Sequence, residues 1–255
     1  MSKRILLLDG DVLVYKIAFA SEQVIDWGND LHTLHSDAGG ATLSMDTMIE
    51  GIVDLLHGDQ LVTALTCHDT PNFRKAFCPT YKENRAVKRK PLVWAALRKH
   101  LIEKWDAKIK SNLEADDVLG ILSTTPHKGQ ERIIVSIDKD FKTIPGLFYN
   151  LGDGKSGPVQ EITEVMADHA FMMQTLTGDT IDNYPGCPGI GPKTAAKLLD
   201  GVQGIEDMWP LVLGAYAKAG FGPEYALTQA RCARILRYSD YDHKKKQLIL
   251  WEPPA

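Results

Sequence analysis

The apolar positions of this chain fall into short runs that end in acid. Ile5-Leu6-Leu7-Leu8 is closed by Asp9-Gly10-Asp11, Leu61 to Thr66 by His68-Asp69, and Arg132 to Ile137 by Asp138-Lys139-Asp140. Short apolar runs bounded by turn-forming residues read as strands buried on both faces, the pattern of a parallel sheet. Between them, Leu43 to Leu56 and Leu113 to Leu122 have helical character. Strands alternating with helices predict an α/β fold, a mostly parallel central sheet flanked by helices through right-handed crossovers. After the turn-rich Gly152-Asp153-Gly154, Val159 to Ile162 predicts one more short strand and Thr163 to Leu176 a helix. From there the chain reads as mostly helical, punctuated by Gly and Pro through Gly222-Pro223.

With 255 residues the chain can bury one large α/β domain and a small appended module. No stretch is long and apolar enough to cross a bilayer, and Asp9 and Asp11 interrupt the first apolar run too early for a signal peptide. The four cysteines (Cys67, Cys78, Cys187, Cys232) are scattered, with neither C-x-x-C spacing nor the density of a disulfide scaffold, which points to a reducing cytoplasm. His32 and His35 have no matching second pair, so a zinc site is not expected. The net charge of −4 hides a segregation: Arg74 to Lys110 holds twelve Lys/Arg against three Asp/Glu, a local +9 that leaves −13 for the remainder. A charge run is usually a solvated face, but this one stands beside an acidic body and invites an anionic partner.

The acids carry the chemistry. In open α/β sheets ligands bind at the carboxyl ends of the strands, where three strands here deliver aspartates. A lone Asp after a strand is commonly a turn or cap residue; three together make that reading weaker. A fourth group, Glu114-Ala115-Asp116-Asp117, opens a helix, and Ser111-x-x-Glu114 matches a capping box that would explain one of its acids. A fifth is Gly178-Asp179-Thr180-Ile181-Asp182-Asn183. Converging carboxylates must be paired or metal-bound, and hard oxygen ligands without His or Cys select Mg²⁺ or Mn²⁺. Two such ions roughly 3.5–4 Å apart suit phosphodiester hydrolysis.

Taken in order, Asp9-Gly10-Asp11, His68-Asp69, Tyr81-Lys82-Glu83-Asn84-Arg85, Glu114-Ala115-Asp116-Asp117, Ser136-Ile137-Asp138-Lys139-Asp140 and Gly178-Asp179 through Gly191-Pro192-Lys193-Thr194 resemble the flap endonuclease and 5′→3′ exonuclease family, in particular its phage-type members, over nearly the whole chain. The resemblance implies a PIN-like nuclease core and two Mg²⁺ or Mn²⁺ ions. It assigns Asp9, Asp69, Glu114 and Asp116 to one metal site with Asp117 close by, and Asp138, Asp140, Asp179 and Asp182 to a second. Asp11 stands where relatives more commonly have a small or polar residue. By the same resemblance Lys82 and Arg85 contact the scissile phosphate, Tyr15 stacks on a base, and a basic helical arch at about 72–105 covers the site. Basic residues interleaved with aromatics, including Arg74, Lys75 and Tyr81, suit a strand-tracking channel. Trp94, Leu97 and Leu101, at helical spacing, read as packing residues of that arch.

Gly186 to Thr194 invites comparison with a P-loop, but Pro192 intervenes before Lys193-Thr194 and the preceding segment reads as helix. A helix-hairpin-helix-like turn fits better. Gly189 and Gly191 let the backbone approach phosphate, Pro192 sits near the first helical position, and Lys193, Thr194 and Lys197 face the duplex backbone. The resemblance adds a K⁺ ion at this turn. The expected division is a nuclease core, 1–177, and a DNA-binding helical region, 178–255. The expected protein is a cytoplasmic monomer of a bacterial or phage-infected cell, acting on DNA with a 5′ end, flap or nick. A non-catalytic junction-binding scaffold and an RNA-cleaving nuclease are the alternatives.

Overall fold

The computed structural model describes residues 2–85, 87–152 and 157–254; part of the Gly152-Asp153-Gly154 turn lies outside them. In chain order the elements are β1 (Lys3–Asp9), α1 (Gly10–Ala20), β2 (Gln23–Asp26), β3 (His32–His35), α2 (Ala38–Leu55), β4 (Gln60–Ala64), α3 (Trp94–Trp105), α4 (Ala115–Thr124), β5 (Gln130–Ser136), β6 (Gly146–Asn150), β7 (Gln160–Ile162), α5 (Glu164–Thr177), α6 (Pro192–Leu199), α7 (Ile205–Lys218), α8 (Pro223–Ala233), β8 (Tyr241–Asp242) and β9 (Gln247–Leu248). Five strands form one sheet in the order β4-β1-β5-β6-β7, parallel except for β7, which reverses against β6.

The three acid-ended runs are β1, β4 and β5, three adjacent strands of this sheet with β4 at its edge. β1 lies between the other two, with Leu8 opposite both Thr63 and Val135, so their carboxyl ends share one edge. Alternation sends Leu6 and Leu8 into a core shared with α1, α2 and α3, and Ile5 and Leu7 into a second core with α4. A third apolar cluster joins α5, α6, α7 and α8, where Phe171 and Trp209 meet Trp251 edge-on at 5.1 and 5.3 Å. Phe171, Met172 and Leu176 of α5 lie in this cluster, so the helical region's core reaches back before residue 178.

Local signals place several ends differently from the sequence reading. α2 begins before Leu43 because Asp37 caps it, accepting the Gly39 and Gly40 amides at 2.9 and 3.0 Å. The capping box of α4 is Glu114 with Asp117, not Ser111 with Glu114: the Glu114 amide donates to Asp117 Oδ2 at 3.2 Å. The expected arch is also corrected. Among the described residues, 72–105 forms two 3₁₀ turns, Phe73–Ala76 and Glu83–Arg85, followed by α3. Helix α3 is a layer of the body, because Leu97 and Leu101 are fully buried against α1 and α2. Their helical spacing did signal packing, but packing onto the sheet layer.

Gly10 shows why α1 can start directly from β1. A Cβ there would meet the Ala64 carbonyl oxygen at 2.7 Å and the Thr63 side chain at 2.9 Å. Gly10→Ala is expected to cost about 1–3 kcal/mol through overpacking; a urea midpoint unchanged from wild type would refute this close approach.

Candidate active site at the carboxyl edge of the sheet

Asp9 ends β1 and caps α1, its Oδ1 accepting the Val12 amide at 3.2 Å while Oδ2 accepts Ser136 Oγ from the end of β5 at 2.8 Å. Burial, reinforced by Asp11, pushes its pKa up to about 7. Asp138 caps the 3₁₀ turn Lys139–Thr143 and accepts the Asp140 amide at 2.9 Å. Burial raises the pKa of Asp138, with Asp182 adding to it; burial followed by Asp138 and Asp179 raises Asp140 to about 7. Aspartates from two strand ends and from the segment after α5 thus share one field, and they resist ionising together.

That last segment is a closed hairpin. Asp179 and Tyr184 exchange backbone hydrogen bonds at 2.9 and 3.1 Å, and Asp179 Oδ1 accepts the Ile181 and Asp182 amides. Gly178 and Gly186 (φ +66° and +67°) lie back to back, where a Cβ on Gly186 would meet the Gly178 nitrogen at 2.3 Å. The Tyr184 hydroxyl is buried here without a hydrogen-bond partner. Beyond the hairpin, Gly191 caps α6 with Pro192 at the first helical position, and Gly189, Gly191, Lys193, Thr194 and Lys197 are all exposed, as the duplex-contact reading requires.

Glu114 approaches from the start of α4. Its Oε1 accepts Lys82 Nζ at 2.5 Å, and its Oε2 accepts the Tyr81 hydroxyl at 2.9 Å. Burial opposes ionisation, but Lys82 and Arg74 outweigh it and hold the Glu114 pKa at about 2. Lys82 Nζ also lies 3.3 Å from Asp182 Oδ2, so its ammonium bridges the two groups of acids. Arg85 pairs with the other oxygen of Asp182. Asp116 is half-buried, and burial with Asp117 and Glu114 pushes its pKa well up.

Four expected roles change. Glu114, Asp116 and Asp117 bring carboxylate oxygens within 4.8 Å of one another. Asp117, however, is fully buried and accepts four hydrogen bonds, two at 2.8 Å from Arg74 and two at 3.2 Å from the Glu114 and Leu236 amides, so its lone pairs are already used. Arg74 is 1 % exposed and therefore braces the site from within instead of touching DNA. Tyr81 is 2 % exposed, its hydroxyl divided between Glu114 and Asp182. Asp69 is exposed: after β4 the Cys67 amide donates to the Leu113 carbonyl at 3.1 Å, and His68 packs on Trp94 with ring centres 5.2 Å apart. Tyr15, by contrast, is 38 % exposed on α1 and stacks with the exposed Phe19, and Lys75 is exposed.

Sequence reasoning missed Arg98 and Ser136. Arg98 donates to Asp11 Oδ1 at 2.7 Å and to the Thr66 carbonyl at 2.8 Å, which gives Asp11 a structural role. Nothing local links residues 87 positions apart, whereas Ser136, at a strand end beside Asp138, carried a usable signal. Much of the basic segment is likewise spent internally: Arg89 grips Glu22, and Lys104 and His100 hold Asp46.

Residues 4–147 match the model of the 5′-3′ exonuclease N-terminal resolvase-like domain. This chain belongs to the 5′-3′ exonuclease family. Residues 165–218 match the family's C-terminal SAM fold. The exodeoxyribonuclease of Enterobacteria phage T3 is 28 % identical over 98 % of this chain and 93 % of its own length; the exonuclease of Escherichia phage T7 is 29 % identical over 98 % and 94 %. The flap endonuclease Xni of Shewanella oneidensis is 33 % identical over 56 % of this chain and 59 % of its own. Among solved structures, phage T5 D15 protein co-crystallised with metal ions superposes with a TM-score of 0.63 at 14 % identity, covering 89 % of this chain and 88 % of that one. The T5 D15 flap endonuclease complex with DNA and metal ions gives 0.61, also at 14 %. These two establish the shared fold. As a 5′-3′ exonuclease family member the chain is a phosphodiester-hydrolysing nuclease with an acidic, metal-binding cluster. Among the described residues no helix is long and apolar enough to cross a membrane.

Two outcomes follow from the electrostatics. Asp9 and Asp140 ionise near 7 in the fold against an ordinary 3.8. The fold therefore binds their protons more tightly than the unfolded chain, and stability falls as pH rises from about 4 to 7. Glu114 contributes oppositely, but its stabilisation is lost only as pH falls from about 4.5 towards 2, below this window. In EDTA the melting temperature is expected to decline between pH 5 and pH 8, to recover with Mg²⁺, and to decline less in Asp9→Asn/Asp140→Asn; an equal decline in the variant would refute the assignment. Separately, Arg74→Met strands Asp117 and is expected to cost about 3–5 kcal/mol in chemical denaturation.

Proposed function

We propose that this chain is a divalent-metal-dependent 5′-nuclease acting on DNA, combining 5′→3′ exonuclease with flap or structure-specific endonuclease activity. The observation that carries the reading is the convergence of Glu114, Asp116, Asp138 and Asp182 around Lys82, with Asp9 and Asp140 coupled to Asp138 beside them. Every candidate ligand is a carboxylate oxygen, and two of the acids resist ionising without a cation, a donor set that fits Mg²⁺ or Mn²⁺. Asp9, Glu114 and Asp116 would hold one ion, and Asp138, Asp140, Asp179 and Asp182 a second. Such ions supply Lewis acidity toward the phosphate and lower the pKa of a water.

The chain's own groups position the strand. Lys82 stays protonated because Glu114 and Asp182 outweigh its burial, so it can donate to a non-bridging phosphate oxygen, and Arg85, half-exposed, can donate beside it. Tyr15 with Phe19 offers a face for the base at the 5′ end. Gly189 to Lys197 grips the duplex backbone without reading bases, giving preference for structure over sequence. In this reading residues 1–177 carry the chemistry and 178–255 the grip, K⁺ sits at the hairpin turn, and the protein works as a monomer in the cytoplasm. Its four free cysteines suit that compartment.

The direct test is digestion of 5′-flap, nicked and blunt duplexes with Mg²⁺ or with EDTA. Cleavage from the 5′ end that EDTA abolishes supports the reading; binding without cleavage in Mg²⁺ would make the chain a junction-binding scaffold. Asp138→Ala with Asp140→Ala is expected to remove cleavage while DNA binding stays measurable. Lys82→Ala is expected to slow single-turnover cleavage by roughly 10²–10³-fold, well beyond its effect on binding; an unchanged rate would remove Lys82 from the chemistry.

A further inference from the structure

A second concave surface is left without a role by the nuclease reading. A cavity of about 540 Å³ opens between the Lys110–Leu113 segment and the β8–β9 hairpin. It shares two backbone segments with the carboxylate site. Phe73 lines the cavity while its neighbour Arg74 turns inward to Asp117, and Leu113 lines it while Glu114 turns to Lys82.

The lining is cationic and aromatic. Lys110, His243 and Lys246 contribute nitrogen, Phe73 and Tyr241 contribute rings, and no carboxylate lines the cavity. The Lys110 ammonium stands 4.2 Å from the centre of the Tyr241 ring and, like Lys246, has no ion-pair partner among the described residues. Burial alone lowers the Lys110 pKa, with no acid opposing it. The acids nearest in sequence are occupied: Asp242 accepts the Lys244 and Lys245 amides at 2.9 Å, Asp240 pairs with Arg234, and Asp106 pairs with Lys108. His243 is held between Tyr238, stacked at 4.6 Å, and Tyr241, edge-on at 5.2 Å.

A half-buried cation without a counter-charge favours an anion, and the partly exposed rings of Phe73 and Tyr241 beside it favour a nucleobase. The volume falls within the range of small-ligand sites. We propose that this cavity binds a nucleotide unit outside the carboxylate site, Lys110 and Lys246 pairing with its phosphate and an aromatic ring facing its base. A free mononucleotide and one unit of a bound DNA strand offer the same chemistry.

Equilibrium dialysis in EDTA, with thymidine 5′-monophosphate in one arm and a short oligothymidylate in the other, tests the site. Lys110→Gln with Lys246→Gln is expected to weaken binding roughly tenfold or more, while Lys110→Arg and the distant Lys218→Gln retain it. Tyr241→Leu should weaken the nucleotide more than inorganic phosphate, and thymidine without phosphate should compete poorly. Lysine dependence in the mononucleotide arm assigns the site to free nucleotide, and dependence confined to the oligonucleotide arm assigns it to the strand. Either upholds the phosphate site. Unchanged affinity in both arms, with melting temperatures matching wild type, overturns it. The inference goes beyond the nuclease reading and does not lean on it, since the assay reads binding without cleavage.

Discussion

The constraint on which the structure depends is the crowding of carboxylates at one edge of a parallel sheet. Parallel strands deliver their following loops to a common edge, so β1 and β5 place Asp9 and Asp138 in the same field whatever else the chain does. That edge is half-buried, and charges removed from water there must be answered. The fold answers in two ways. Arg74 neutralises Asp117 with two 2.8 Å bonds, deep enough that both are shielded from solvent. Lys82 stands between Glu114 and Asp182 as a mobile-headed cation, closer to the open site. The acids that neither reaches, Asp9 and Asp140, are those pushed up to about 7. The internal cations thus neutralise Asp117 and Glu114, while Asp9 and Asp140 keep raised pKa values.

The same logic explains the segregation of charge along the chain. Residues 17–73 contain nine acids and no Lys or Arg, whereas 74–110 are strongly basic. The two stretches face each other in the structure. Arg89 grips Glu22 just past α1, and the end of α3 surrounds Asp46 of α2 with His100, Lys104 and the Trp105 indole, each at 2.8 Å, while Arg98 reaches ahead of that stretch to Asp11. Partly exposed pairs of this kind are individually weak. Laid along a buried apolar seam of Leu97 and Leu101, they fix which way α3 lies.

The sheet was legible because its code is local: short apolar runs of strand length, rich in β-branched residues or closed by turn-forming acids, read as buried strands. The grouping of carboxylates at element boundaries was legible for a similar reason: Asp9 and Asp138 follow β1 and β5, and Glu114 opens α4. The partners of those acids were not. Asp117 and Asp116 are neighbours in sequence with the same side chain, yet one is saturated by Arg74 and the Leu236 amide, 119 positions away, while the other stays available. Arg74 and Tyr81 sit in a basic, aromatic stretch that resembles a nucleic-acid surface, and distant partners turn them inward: the Cys232 and Arg234 carbonyls hold Arg74, and Glu114 and Asp182 hold the Tyr81 hydroxyl. The exposure of Asp69 was not legible either, because residue pattern does not encode where the chain runs after β4.

Lys82 then ties the parts together. Its backbone is left-handed (φ +54°), a conformation that costs a non-glycine residue on the order of 1–2 kcal/mol. The chain holds it there because its surroundings leave little alternative. The Lys82 amide donates to the Asp182 carbonyl at 2.8 Å, Asn84 donates to the Thr180 carbonyl at 3.0 Å, and Asn183 returns a bond to the Thr80 carbonyl at 2.7 Å. The Thr80–Arg85 turn and the 179–184 hairpin are therefore one docked unit, although nearly a hundred residues separate them. One side of that unit carries the cations assigned to the scissile phosphate, and the other continues into the exposed glycines and lysines of α6. These bonds hold the Lys82 and Arg85 cations in a fixed relation to the 179–184 hairpin, and so to the chain that continues into α6.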